Sequence, residues 1–398
     1  MKVLSGCNVP LPFWTAGGIF WVNSGWHLAE AGATVHLLAG MSPTSEADEI
    51  LAFYGLTSHP RLSITSTKPW PITLLNRSSA LQARAYFLEL ARRIRAIRPD
   101  VLYCIGMPNH LWVLRILKKV VPFKVILELH QYHSTEFWRQ SSVRLMEGTT
   151  PQVDGIVTVS PAHRNLLIEE GAPHHRVHTY YSAQRPDLVP SEDRHELLAQ
   201  LQLPIDSDSL IVLYGGNLYG DRGVDDLIRA FRQVVQHVPT AQLIVLGKGE
   251  PGLEKQYRAL AENGGLGEKI HFTGHVPPTV VGRYLAVADV GAVPCPPRQQ
   301  WEHSSPNKLS EYLGAGLAVV ATDLQNIADL VGPEEAALLV RPEAPQEMAE
   351  AIIRLLTDEP LRRSMQEKAR RLGRELTYQA RAESVYQFFK QLTDGHEL

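Results

Sequence analysis

The sequence predicts an α/β protein made of two doubly wound domains. Three observations carry that reading. The chain has 398 residues, 44% of them hydrophobic, which at about 100–200 residues per domain gives two domains, each with its own core. Short apolar runs alternate with amphipathic stretches of helical period along nearly the whole chain. The alternation pauses once, at 182–209, and then restarts.

The elements follow in order. Apolar runs of strand length lie at Lys2–Ser5, Thr34–Leu38, Leu62–Thr65, Val101–Ile105, Lys124–Leu129, Gly155–Val159 and Val177–Tyr180. Helical periodicity fills the gaps at Ala16–Ala31, Ser78–Ile97, Asn109–Val120, Thr135–Gly148 and Pro161–Glu170. Continuous apolar strands alternating with helices mean a parallel sheet covered on both faces. The polar stretch at 182–209 carries three prolines and reads as the interdomain connection. Strands resume at Leu210–Tyr214, Gln242–Leu246, Lys269–Thr273, Val290–Val293, Ala318–Ala321 and Ala337–Val340. Helices follow at Val224–His237, Gly252–Asn263, Pro278–Ala286, Ser305–Gly314 and Gln346–Leu356, and two more close the chain at Pro360–Arg371 and Tyr378–Gln391. Ligands of such sheets bind outside the carboxyl ends of the strands, so the expected site is a cleft between the two domains.

Composition excludes several classes. There are 39 Lys+Arg against 42 Asp+Glu, a formal charge of −3, with 29 Gly and 27 Pro. This is ordinary globular usage, not a disordered tail, a collagen repeat or a disulfide scaffold. The absence of a basic excess argues against a general nucleic-acid binder. Cys7, Cys104 and Cys295 form no CxxC pair, so a reducing cytosol fits. The opening MKVLSGCNVPLP does not read as a signal peptide. The longest apolar run, 313–321, falls short of the roughly 18–20 residues that cross a bilayer. A cytoplasmic protein, at most peripheral on the inner face of the membrane, is expected.

Four segments could carry chemistry. In YGGNLYGDRGVDDLIRAF (214–231) a strand runs into Gly215–Gly216, and Arg222–Gly223 precede a helix. Glycines let backbone approach a ligand, and Arg with a helix N-terminus favours phosphate. A plain strand-to-helix turn with a solvated Arg would look the same. In SSPNKLSEYLGAGLAVVATD (304–323), Ser304–Ser305–Pro306 reads as a helix start with Ser at the cap. Lys308 and Glu311 share a face of that helix, either as a solvated pair or as a carboxylate placed to accept hydrogen bonds from sugar hydroxyls. LIVLGKGEPG (243–252) and KIHFTGHVP (269–277) put small residues at two further strand ends.

Taken together and in this order, these segments resemble the retaining glycosyltransferases of family 4, which have the GT-B fold of two Rossmann-like domains. The resemblance covers residues 1–395. In the amino-terminal half, TAGGIFWVNSGWHLAEAGATVHLLA (15–39) is similar to the family's glycine pair, helix and strand. VILELHQ (125–131) resembles its strand ending in His, and DGIVTVSP (154–161) its strand ending in Ser. The resemblance implies an acceptor-binding domain at 1–183, a nucleotide-sugar-binding domain at 184–375, and a terminal helix at 376–398 that crosses back onto the first.

It also implies roles. Arg222 would neutralise the donor diphosphate, Glu311 would hold ribose hydroxyls, and backbone at Gly274, His275 and Val276 would contact the base. Gly17 and Gly18 would close over phosphates and sugar. His130 would donate a hydrogen bond to the transferred sugar. Gly216, Asn217, Lys248, His303, Ser304, Ser305, Pro306, Asn307 and Lys308 complete the expected donor site. Phe13 and Trp14 mark the acceptor side. Retention through same-face attack, with the leaving phosphate taking the acceptor proton, needs charge stabilisation more than a protein base, which fits the absence of a glycosidase-like carboxylate pair.

The sequence departs from the pattern in three places. His303 stands where many relatives carry a first Glu eight positions before the second. Asn217 stands where many have Arg. Ser305–Pro306 replaces a small glycine-containing loop, and Pro has no amide to donate.

No cofactor or metal is expected. Asp206-Ser207-Asp208 reads as turn chemistry, and His174, His175 and His178 as solvated histidines. The basic stretches 91–99 and 114–124 suggest either solvated helix faces or contact with an anionic membrane carrying a lipid-linked acceptor. The expected partners are therefore a nucleotide-sugar donor and a glycan or lipid-linked acceptor, with no nucleic acid. UDP- or GDP-sugars are the leading donors. The alternatives kept open are a catalytically silent nucleotide-sugar-binding subunit and a GT-B epimerase or phosphorylase. A dehydrogenase is disfavoured because no GxGxxG follows the first strand.

Overall fold

The computed structural model describes residues 1–13, 16–40, 42, 46–67, 79–105, 111–130, 144–147, 152–185, 187 and 189–394. These form two compact units, Met1–Tyr181 with Tyr378–Leu398, and Ser182–Thr377.

The first unit is built on seven parallel strands: β1 (Lys2–Cys7), β2 (Thr34–Ala39), β3 (Leu62–Ser66), β4 (Val101–Ile105), β5 (Lys124–Leu129), β6 (Gly155–Thr158) and β7 (Val177–Thr179), in the spatial order β3-β2-β1-β4-β5-β6-β7. The second has six: β8 (Leu210–Gly215), β9 (Ala241–Leu246), β10 (Ile270–Gly274), β11 (Val290–Val293), β12 (Ala318–Thr322) and β13 (Leu338–Val340), in the order β10-β9-β8-β11-β12-β13. Both sheets are parallel throughout, as the apolar runs predict, and the inner strands are buried along their length, β9, β11 and β12 completely.

The period of two along a strand divides the first unit's core. On β5, Val125, Leu127 and Leu129 join one cluster with Leu4, Leu102, Leu114 and Leu167. Ile126 joins the other, with Trp21, Leu37, Val157 and Phe389. Glu128 therefore shares the face of Ile126. That face is covered in part by the last helix, Tyr378–Asp394. Its buried residues Ala382, Val385, Tyr386 and Phe389 recur at the three- and four-residue spacing of one helix stripe. The Phe389 ring lies 5.1 Å from that of Tyr103 on β4.

The structure corrects several expectations. The stretch 182–209 is folded into the second unit: the Gln184 amide donates to Leu376 O at 2.9 Å and its side chain to Gly373 O at 3.0 Å. It also holds a helix, Arg194–Leu201, capped by Asp193, whose Oδ1 accepts from the His195 amide at 2.8 Å. Ala47–Phe53, Gln299–His303 and Gln325–Val331 are further helices that the periodicity does not reveal. All span two turns or less, too few for a 3.6-residue pattern to register. Ser305 does not cap a helix. The helix begins at Asn307 with Pro306 at its cap position and no side-chain cap. Ser305 Oγ instead accepts from the Ser182 amide at 3.2 Å, and Ser182 Oγ donates to Ser305 O at 2.9 Å. Most of the expected helix 135–148, and the start of the one at Asn109–Val120, lie outside the described residues; the latter is Leu111–Lys118.

Phe389 is fully buried. Phe389→Ala should lower the unfolding free energy by about 3–5 kcal/mol, read from chemical denaturation of the full-length protein.

Candidate functional site

Each sheet steps outward in both directions from a central pair, β1/β4 in the first unit and β8/β11 in the second. That pair is the topological switch point, and the carboxyl ends of its strands are where open parallel sheets hold ligands.

In the second unit, β8 runs out through Tyr214 and Gly215 into Gly216, which is exposed and has φ +140°. A side chain there would be strained and would press on Lys308, whose Cε lies 3.2 Å from the position a Cβ would take. The Gly215 amide donates to Tyr312 Oη at 2.7 Å, and Tyr214 Oη donates to Asn217 O at 3.1 Å. These bonds fix the loop from both ends. Lys308, one residue into helix Asn307–Ala315, places its ammonium 4.1 Å from the centre of the Tyr214 ring. Burial lowers its pKa to about 8, and the positive charge of Arg222 works in the same direction. Glu311 follows one turn later, half-buried, its carboxyl raised by burial and partly restored by Lys308.

Arg222 is held by groups the sequence did not single out. Its guanidinium lies 4.2 Å from the Trp301 ring and 5.7 Å from that of Tyr219. Its Nε is 3.3 Å from Asp221 Oδ1, too poorly aligned for a hydrogen bond. Asp221 Oδ2 accepts from Gln300 Nε2, and the Asp221 carbonyl accepts from Trp301 Nε1 at 2.9 Å. Trp301, Gln300 and Asp221 thus form a bracket for Arg222. Only their closeness to His303 and Arg222 in sequence could have pointed to them.

The neighbouring strand ends are tied to this loop. The Leu218 amide donates to Lys248 O at 3.1 Å, and the Gly247 amide to Gly274 O at 3.0 Å. Lys248 and His275 are exposed and Val276 half-buried. On the other side, Ser304 is buried, its Oγ makes no hydrogen bond among the described residues, and its carbonyl accepts from Asn326 Nδ2. Asn307 is half-buried at the first position of its helix, whose N-terminus favours an anion. His303 is also half-buried, its Nδ1 3.1 Å from Gln299 O within its own short helix.

In the first unit, Gly17 is exposed and Gly18 buried near the start of helix Ala16–Glu30. A Cβ on Gly18 would lie 2.9 Å from Phe13 O, so the helix start and the preceding loop need glycine to approach this closely. Tyr54 Oη secures that loop, accepting from the Phe13 amide at 2.7 Å and donating to Phe13 O at 3.1 Å. Trp14 lies outside the described residues. His130 sits just past β5, 25% exposed, with Nε2 2.6 Å from Glu128 Oε1. The Phe20 ring meets it edge-on at 4.2 Å, which brings the Gly17–Gly18 helix start beside it.

Glu128 is fully buried and takes its counter-charge from Arg381 on the last helix, Nη2 to Oε1 at 2.5 Å. Burial would raise this carboxyl, but Arg381 and His130 outweigh it and hold it below the usual range. Arg381 also donates to Tyr103 Oη at 3.2 Å and Ser24 Oγ at 3.4 Å, and lies 4.6 Å from the Phe20 ring centre. Neither Glu128 nor Arg381 was a sequence candidate.

Other candidates have local partners. His174 Nε2 lies 2.7 Å from Arg164 Nη2, and His178 is 2.9 Å from Ser384 Oγ and stacked on Phe388. Asp206 closes a turn, its carbonyl accepting from the Ser209 amide at 3.0 Å. No described residues form a group of three or more His, Cys, Asp or Glu able to hold a metal, and no described helix is long and apolar enough to cross a membrane.

Two parallel-sheet Rossmann-like units of this topology match the glycosyltransferases of GT-B fold. Sucrose-phosphate synthase from Thermosynechococcus elongatus superimposes with a TM-score of 0.78 at 18% identity over 100% of both chains. HepE from Anabaena, solved in complex with UDP-glucose, gives 0.70 at 17% identity over 99% of both. Residues 18–183 match the family model described as Glycosyltransferase Family 4, and residues 209–358 that described as Glycosyl transferases group 1. The chain belongs to this group 1, family 4 class of glycosyltransferases. Among curated relatives, a D-inositol 3-phosphate glycosyltransferase of Corynebacterium aurimucosum is 29% identical over 205 residues, 50% of this chain and 48% of the relative. The chain spans about half the length of the curated relatives it matches.

The Lys308 amine titrates in the folded state at about 8, below its ordinary 10.5. Its unfolded form binds the proton more tightly, so this group's contribution to stability rises as pH climbs from 8 toward 10.5. Lys308→Met should therefore be more stable than the parent at pH 7, with a gap that narrows toward pH 10, read from denaturation midpoints of both proteins.

Proposed function

We propose that this protein is a retaining glycosyltransferase that moves a sugar from a nucleotide-sugar donor, a UDP- or GDP-sugar, to a sugar, glycan or lipid-linked acceptor. The observation that carries the reading is the set of groups at the β8/β11 switch point: two cations, Arg222 and Lys308, beside a helix N-terminus, with the Glu311 carboxylate one turn in. Two cations and free helix amides suit a diphosphate. A carboxylate suits a pair of ribose hydroxyls. The relatives support the same class, one being a D-inositol 3-phosphate glycosyltransferase and another an α-D-kanosaminyltransferase.

The chemistry assigned here is electrostatic. Charge develops on the leaving diphosphate as the glycosidic bond breaks, and Arg222 and Lys308 stabilise it. The leaving phosphate takes the acceptor proton on the same face, so configuration is kept without a protein base. His130, in the other unit, is assigned to the transferred sugar, and Phe13 to the acceptor side. The silent-subunit reading is favoured by one feature: His303, which replaces an expected carboxylate, is engaged with its own helix.

A panel of UDP-, GDP-, ADP- and dTDP-sugars tests both readings by thermal shift and nucleoside diphosphate release. One donor should stabilise the protein and be turned over. Arg222→Ala and Glu311→Ala should each lower kcat by about 10²–10³. Binding without release in the presence of acceptors supports the silent subunit, and an inverted anomeric centre in the product, seen by NMR, overturns retention.

We infer further that a lipid-linked acceptor is reached at an anionic membrane. Leu88 on helix Ser79–Ile97 is 67% exposed, and Ile116 and Val120, on and just after helix Leu111–Lys118, are 56% and 65% exposed. Arg84, Arg92 and Arg95 share the exposed face of Leu88, and Lys119 lies beside Val120. Both helices pack on the same core cluster through Leu90 and Ile94, and through Leu114 and Leu117. Exposed apolar side chains among cations match an anionic lipid surface. The protein should sediment with phosphatidylglycerol vesicles, and Ile116→Glu with Val120→Glu should abolish this. Equal retention of the variant, or equal binding to neutral vesicles, overturns the reading.

A further inference from the structure

The contacts of His130 are unequal. One ring nitrogen, Nε2, is committed to Glu128 at 2.6 Å. The other, Nδ1, makes no hydrogen bond among the described residues. The ring is 25% exposed while its partner carboxylate is 0% exposed, so the ring joins a buried anion to an open surface.

We propose that Glu128 and Arg381 are positioning residues that hold His130 as its Nε2–H tautomer, so that Nδ1 is the nitrogen presented to substrate and neutral His130 accepts a hydrogen bond from a sugar hydroxyl. This rests on the assignment of His130 to the transferred sugar, and it reverses the donor role that the family resemblance implies.

An ionised carboxylate only accepts. Glu128 is kept ionised because Arg381 lies at 2.5 Å on the same oxygen, Oε1, that meets His130. The proton between Glu128 and His130 therefore belongs to Nε2. Neutral imidazole carries one N–H, which leaves Nδ1 as a lone pair. Donation from Nδ1 would need the imidazolium form. The ring cannot swing away freely: Phe20 meets its face edge-on at 4.2 Å, and Arg381 in turn lies 4.6 Å from the Phe20 ring centre.

Around this group, β5 contributes Glu128 and β4 contributes Tyr103, which accepts from Arg381. The last helix contributes Arg381 and Tyr378, and helix Ala16–Glu30 contributes His27, stacked on Tyr378. β7 contributes His178, which burial pushes down to about 4, with Arg381 adding to the effect. Glu128 is the anion of this set, and it meets His130 directly.

The first test uses full-length protein labelled with ¹⁵N-histidine, without substrate. Two-bond ¹H–¹⁵N spectra distinguish the two tautomers, and His130→Gln assigns the signal. The neutral ring should show the Nε2–H pattern; an Nδ1–H pattern overturns the proposal. The second test is kinetic. Glu128→Gln should cut kcat by about tenfold or more while leaving the KM for donor within about twofold, because the contacts assigned to the donor's diphosphate and ribose, at Arg222, Lys308 and Glu311, lie in the other unit. A parental kcat in Glu128→Gln overturns the proposal. The wild-type spectra decide the tautomer even if that variant does not fold. Absence of turnover with every donor and acceptor would instead overturn the glycosyltransferase reading, leaving the tautomer result intact.

Discussion

A carboxylate at the end of a buried strand must be answered by a cation or be neutralised, because desolvation of a lone charge costs several kcal/mol. Glu128 is such a group. The two-residue period of β5 puts it on the face of Ile126, and that face is closed in part by the last helix of the chain. Arg381 supplies the charge from 253 residues away. The register of that helix follows from the same contact: with Arg381 set over Glu128, the stripe Ala382, Val385, Tyr386 and Phe389 faces the sheet. Removing one partner of such a pair costs about 3–5 kcal/mol, yet replacing both with apolar groups is often neutral. Stability alone therefore does not call for the pair; in the proposed role it orients the adjoining His130.

The second unit holds its cations differently. Lys308 lies against the face of Tyr214, and Arg222 against that of Trp301. An aromatic face attracts a cation by about 0.5–2 kcal/mol and leaves its charge unspent. The Asp221 carboxylate beside Arg222 is itself engaged by Gln300, and its approach to Nε is poorly aligned. Cations fixed in place but only partly neutralised would suit the diphosphate of the proposed donor. In the first unit a carboxylate and an arginine answer one another and leave a histidine oriented. In the second, aromatic rings position two cations and leave them ready for an anion.

Much of this was legible in the sequence. The strands appear as apolar runs because burial on both faces removes any polar alternation. The long helices appear because an apolar stripe repeats over several turns. Helices such as Arg194–Leu201 and Gln299–His303 do not, since one or two turns give the pattern too few positions. Gly216, Arg222, Lys308 and Glu311 could be singled out as candidates because strand end, glycine loop and helix start follow one another in the chain. Ser305 misled because a Ser before Pro has the form of a cap, whereas here it binds Ser182, 123 residues earlier.

The sequence by itself determined the two α/β units, their parallel sheets, the family, and the local elements that carry His130, Arg222 and Glu311: a strand end, a loop before a helix, and a helix. Local pattern suffices for these, because each depends on neighbours in the chain. Only the tertiary structure decided what those side chains are tied to: Arg222 to Trp301 and Asp221, Lys308 to Tyr214, and His130 through Glu128 to Arg381. A hydrogen bond or a cation over a ring is fixed by a few ångströms in space. Nothing in the spacing of residues 128, 130 and 381 announces that folding will bring them together.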